Sequence, residues 1–179
     1  MIFVFLANGF EEIEAVTVID ILRRCGTDVK TVGIDSKAIS GSHNITIMCD
    51  AADNDISVND DVSAIVFPGG MPGTLNLEKS QTVQNFIDFA LDKNILICAI
   101  CAAPIILGHR NLLNGKEATC FPGFEEELGN PELSDKKVCK DGNIITSRAA
   151  GTAMDFAFCI AKEFVGEEKA SAVRESMIW

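Results

Sequence analysis

The sequence predicts an α/β fold in which a mainly parallel central sheet is flanked by helices on both faces. Three observations carry it. Residues 2–7, residues 64–67 and the run that reaches Cys101 are continuously apolar, as strands buried on both faces are. Segments whose apolar residues recur at helical spacing lie between them. Strands that alternate with helices in this way pack as a parallel sheet covered on both sides.

At 179 residues the chain is long enough for one well-formed core and short for two. No repeats, low-complexity tracts or linkers interrupt it, so residues 1–179 read as a single domain. The formal charge of −11 makes the long-range field repulsive to phosphate, which argues against nucleic acid and anionic membranes as partners. No apolar run approaches the ~18 residues needed to span a bilayer. The apolar N-terminus has no basic residues and acidic ones follow at once, so it reads as a first strand and not as a signal peptide. Seven cysteines, several in apolar surroundings such as Cys98 and Cys159, point to free thiols in a reducing, cytoplasmic setting. A metal is not expected: Cys98 and Cys101 form a single C-x-x-C, and the two histidines, His43 and His109, are isolated.

Taken in order, residues 2–7 form the first strand, and Asn8-Gly9-Phe10 turns the chain into a helix opened by Glu11-Glu12-Ile13-Glu14. Its apolar positions Ile13, Val16, Ile19 and Leu22 recur at helical spacing, and its early carboxylates suit the helix dipole. Residues 28–34 read as a second strand, and residues 35–50 as short β pieces around Gly41-Ser42-His43-Asn44, a hairpin or an edge extension. Residues 51–61 read as a loop or short helix. The strand at 64–67 runs into Pro68-Gly69-Gly70-Met71-Pro72-Gly73, either a plain tight turn or backbone that approaches a site with its N–H groups free. Residues 81–91 are an amphipathic helix. After the Cys101 segment, a short strand at 117–120, the turn Phe121-Pro122-Gly123-Phe124 and an acidic helix start at Glu125 follow. Two short strands flank Asp141-Gly142, and a strongly apolar helix over 153–165 ends at Gly166 before a last helix over 167–175.

The run around Cys101 changes period: apolar and β-favouring before it, helical after it, with Pro104 in the opening turn of the helix. Cys101 thus sits at a sharp strand-to-helix bend, the architecture of a nucleophile elbow with sulfur in place of oxygen. A thiol there faces the positive end of the helix and unpaired N–H groups, both of which favour the thiolate. The competing reading is a buried cysteine that merely packs. In a parallel α/β sheet the ligand crevice lies beyond the carboxyl ends of the strands. The segments at 8–14, 68–73, Cys101 and Arg148 all leave strands at that edge.

Gly9-Phe-Glu-Glu-Ile-Glu14, Phe67-Pro-Gly-Gly-Met-Pro-Gly73, Ala99-Ile-Cys-Ala-Ala-Pro104 and Thr146-Ser-Arg-Ala-Ala-Gly-Thr152 together resemble the ThiJ/PfpI superfamily, in the branch of the parkinsonism-associated deglycase and its bacterial relatives. The resemblance spans nearly the whole chain. It implies a flavodoxin-like fold, a homodimer, Cys101 as the reactive and oxidation-sensitive cysteine, and Glu14 as its carboxyl partner. It also implies Gly70 and Ala102 as backbone oxyanion donors, with Gly69 and Arg148 in support. Departures accompany it. Ala102 stands where the protease-like branch has histidine, Phe121 where the deglycase has one, and Asn44 in place of an arginine of the hairpin.

Two functions use these residues. The first is a cofactor-free enzyme of the glyoxalase III or deglycase type, acting on reactive 2-oxoaldehydes or glycated protein in carbonyl and oxidative stress, with Cys101 as nucleophile and Glu14 as general acid/base. The second is a redox sensor or redox-regulated chaperone in which Cys101 becomes a sulfinate held by protonated Glu14. A cysteine peptidase or amidase ranks last for want of a histidine base. Cys120, beside the Phe121 position, is a candidate resolving thiol for oxidised Cys101, against the plainer reading of a small core filler.

Overall fold

The computed structural model describes every residue except Asp60. The elements are β1 (Ile2–Leu6), α1 (Glu12–Arg24), β2 (Val29–Gly33), β3 (Ala38–Ser40), β4 (Thr46–Met48), β5 (Ala51–Ala52), β6 (Ala64–Phe67), α2 (Gly73–Lys79), α3 (Gln81–Asp92), β7 (Leu96–Ile100), α4 (Pro104–Gly108), β8 (Glu117–Ala118), β9 (Glu132–Leu133), β10 (Val138–Asp141), β11 (Ile144–Ser147) and α5 (Ala153–Ser176). Seven of the strands form one sheet in the order β10-β11-β7-β6-β1-β2-β5, parallel throughout except for β10 against β11.

The continuous apolar strands divide their side chains between two cores, as the period of two requires. Val4 and Leu6 of β1 face α1 and α5, while Phe3 and Phe5 face α3. On the second side Phe5 meets Phe67 and Phe86 with ring centroids 5.9 and 5.0 Å apart. Each fully buried phenylalanine contributes about 1.5–3 kcal/mol, so this cluster anchors the centre of the sheet. The helices thus cover both faces, as the sequence predicts.

Two elements differ from the sequence reading. Residues 73–79 form α2, where the sequence reading has a turn ending at Gly73 and no element after it. Of residues 51–61, read as loop or short helix, the first two form the edge strand β5 and Asp53–Asp55 a 3-10 turn, while Asp60 lies outside the described residues. Gly166 (φ +77°) interrupts α5 where the sequence ends one helix and begins another. Among the described residues no helix is long and apolar enough to cross a membrane.

From β1 the chain moves outward through β2 to β5, then returns to the other side of β1 at β6 and proceeds through β7 to β11. The order reverses between β1 and β6, and a crevice opens at such a switch point beyond the carboxyl ends of the two strands. The loops leaving β1, β6 and β7 meet there.

Candidate active site

Cys101 follows β7 directly and adopts φ +65°, a left-handed conformation that costs a non-glycine residue roughly 1–3 kcal/mol. Main-chain bonds hold it in place: its N–H donates to Ser147 O at the end of β11 (2.9 Å), and its carbonyl accepts from Phe121 N–H (2.8 Å). The elbow is therefore imposed by two flanking segments. The backbone N–H groups of Gly70 and Ala102 act on the sulfur, favouring its ionised form.

Glu14, in the first turn of α1, is fully buried, and its Oε2 accepts the Gly69 N–H at 2.7 Å. Oε1 has no hydrogen-bond partner among the described residues, and the Glu14 carboxyl interacts with the Cys101 thiol. Gly69 is required by space: a Cβ there would lie 2.6 Å from Cys101 Cβ and 2.8 Å from Glu14 Oε2. Cys101, Glu14, Gly69, Gly70 and Ala102, brought forward from the sequence, thus converge on one point.

Burial shifts the titration of this pair. Glu14 is pushed up to about 7, mainly because its charge is out of water and secondarily because Glu11 is near. The Cys101 thiol is pushed well above its usual range by burial and by the neighbouring carboxylate, against the opposing pull of the Ala102 and Gly70 N–H groups. This corrects the expectation of a favoured thiolate. The helix beyond the elbow, α4, has five residues and starts three positions after Cys101, so its dipole does not outweigh burial. In the resting site the proton stays on the pair.

Arg148 donates to Asp135 at 2.8 Å and, with Cys120, Thr119 and Glu125, lines a small cavity of about 140 Å³. Cys120 packs into the core on the α3 and α4 side, whereas Cys101 packs against the α1 and α5 side. The two thiols thus pack toward different cores, while the backbone beside Cys120 is bonded to Cys101 through the Phe121 N–H. His109 bridges Glu78 and Glu127 beside α4 and takes no part in the site.

One arrangement escaped the sequence reading. Glu12, also buried, clamps the hairpin onto α1: Oε1 accepts the His43 N–H (2.7 Å) and Oε2 meets His43 Nδ1 (2.9 Å). These bonds hold its carboxyl down to about 2 against the opposing effect of burial. Nothing in the periodicity singles out Glu12, because its partners come from 30 residues downstream through the hairpin. A second missed feature is the Ser147 Oγ–Thr152 Oγ1 bond (2.7 Å), which braces the loop that anchors Cys101 N–H.

Comparison with known proteins follows the same lines. The sequence model of the DJ-1/PfpI family matches residues 1–163. Protein dj-1beta of Drosophila melanogaster is 36% identical over 178 residues, covering 98% of this chain and 95% of that protein. Its crystal structure superposes with a TM-score of 0.94, covering 99% of this chain and 96% of that one. The glutathione-independent glyoxalase DJR-1.2 of Caenorhabditis elegans is 30% identical over 166 residues, covering 91% of this chain and 87% of that protein. A match of this extent, on a chain whose elbow cysteine and buried glutamate meet at the switch point of the sheet, means that the protein belongs to the DJ-1/PfpI family.

Proposed function

We propose that the protein is a cysteine-dependent enzyme acting on reactive 2-oxoaldehydes or their adducts on proteins. The observation that carries this is the buried Glu14 carboxyl, tuned to about 7, which accepts the Gly69 N–H and interacts with the Cys101 thiol. A carboxyl that titrates near neutrality can take a proton and return it within one turnover. Cys101 sulfur adds to the aldehyde carbon while Glu14 receives the thiol proton, and the Gly70 and Ala102 N–H groups receive the developing oxyanion. Glu14 returns that proton to the oxyanion, giving a hemithioacetal, and, ionised again, moves the proton from the former aldehyde carbon to the neighbouring carbonyl carbon while the hydroxyl proton passes to the neighbouring oxygen. The first carbon is oxidised as the second is reduced, leaving a thioester that water cleaves to a 2-hydroxy acid and the free thiol. No outside electron acceptor enters this balance. The glyoxalase DJR-1.2, similar along most of its length, supports the reading.

The test is lactate formation from methylglyoxal by wild type, Cys101→Ser and Glu14→Gln. We expect turnover in wild type and a loss of at least about 100-fold in both variants. Equal rates in wild type and Cys101→Ser would sink the reading.

The same geometry suits a second role, in which oxidation of Cys101 to the sulfinate replaces turnover. The oxygens of a sulfinate would take the Gly70 and Ala102 N–H groups and a proton on Glu14. Cys101 is half-buried while most other cysteines are buried, so an oxidant reaches it more readily than them.

We also propose that the chain pairs with a second copy through α1 and β4. Ile13 (57% exposed), Val16 (47%) and Met48 (71%) stand out on neighbouring elements, with Ile45 beside them. In sedimentation we expect Val16→Asp combined with Met48→Lys to shift a dimer to monomer; an unchanged mass would refute this interface.

A further inference from the structure

We propose that Phe121 and Phe124 form an aromatic wall at the Cys101 elbow that selects neutral 2-oxoaldehydes carrying an aromatic or bulky apolar group. This rests on the 2-oxoaldehyde reading and names its substrate class. Phe121 is tied to the elbow itself, since its N–H donates to the Cys101 carbonyl at 2.8 Å. The preceding residue, Cys120, is buried in the core on the α3 and α4 side. Phe121 leaves the backbone away from that core, and 42% of it stays exposed. Phe124 packs partly on the core and meets Phe121 nearly edge-on, with centroids 6.4 Å apart and planes at 63°. An edge-on pair with one ring anchored offers the free face of the other to a flat ligand. Between them Gly123, at φ +103°, would place a Cβ in open space, so no side chain crowds that approach.

A lone exposed phenylalanine is ordinary on a protein surface. The position of this one, bonded to the backbone of the cysteine that meets Glu14, is what gives it a role. Charge completes the selection. Arg148 is paired with Asp135, and the first turn of α1 adds Glu11 and Glu12, so a substrate carboxylate meets no free cation among these residues. A neutral aldehyde with an apolar substituent fits the electrostatics and the wall.

The experiment compares phenylglyoxal with methylglyoxal in wild type, Phe121→Ala and Phe121→Leu. We expect wild type to favour phenylglyoxal by about 10-fold in kcat/KM, mainly through KM. Phe121→Ala should bring that ratio to within about twofold of one, and Phe121→Leu should keep an intermediate ratio, separating loss of the ring from misfolding. A parallel readout needs no turnover: the rate of Cys101 alkylation by N-phenyl iodoacetamide relative to iodoacetamide, read by peptide mass spectrometry. If neither aldehyde is turned over but the alkylation preference is present and lost in Phe121→Ala, the aromatic site stands and the enzymatic reading falls. Turnover with the same substrate ratio in wild type and Phe121→Ala would overturn the wall and leave the enzyme. Absence of any preference in both readouts would overturn it as well.

Discussion

Glu12 and Glu14 stand two residues apart in the first turn of one helix, both buried, and the fold drives them in opposite directions. Glu12 meets hydrogen-bond donors from the hairpin and falls to about 2. Glu14 meets a single backbone N–H and a thiol, and rises to about 7. Burial acts on both; what differs is the number of donors that compensate it. A carboxylate given enough donors becomes a clamp, and one deprived of them becomes a proton carrier. The α-helical period decides which residue is which, because a two-residue step turns the side chain through about 200° to another face.

The comparison breaks most clearly through Glu14. Its folded pKa lies above its unfolded value of 4.5, so the folded state binds more protons between about pH 4.5 and 7. Its contribution to stability is complete below that window and is lost as pH rises through it. Glu14→Gln removes this dependence. In urea titrations the variant should gain on wild type by roughly 3 kcal/mol between pH 4 and pH 8. Parallel pH profiles for the two proteins would show that Glu14 is not tuned as described.

Glu12 has the opposite sign. Its folded pKa lies below the unfolded value, so its stabilisation is present above about pH 4.5 and lost as pH falls toward 2. Glu12→Gln should cost about 1–2 kcal/mol at pH 7, discounted because His43 in the clamp is exposed, less than half of that at pH 3, and little below pH 2. The smallest effect belongs to His43, exposed and raised above its ordinary value by Glu12 and Glu11. Its stabilisation is present below about pH 6.5 and disappears as pH rises through its raised value. An NMR titration should show the His43 midpoint falling in Glu12→Gln and scarcely moving in Glu14→Gln. A large shift in the second variant would mean that the two carboxylates are not the separate systems described here.

The helix α1 also shows where sequence periodicity points to the wrong face. Its stripe Ile13, Val16, Ile19 and Leu22 has helical spacing, yet Ile13 and Val16 are exposed while Ala15, Val18 and Ile21 join Leu22 in the core. The helix carries two apolar faces, and only packing against α5 and the sheet tells which is inside. The hairpin, the Gly166 break and the chain of parallel strands were legible because turn residues and apolar runs act locally. The helix α2 was not, since the prolines and glycines at 68–73 that lead into it read as turn.

By itself the sequence determined the α/β class, the bend at Cys101 and the four segments that gather at one edge of the sheet. Each follows from residue type and spacing along a single stretch of chain. Tertiary structure alone decided that burial raises Glu14 toward neutrality, that the thiol holds its proton, and that Cys120 and Arg148 line a neighbouring cavity. Those outcomes depend on burial and on donors from distant segments, and neither is a property of any local stretch.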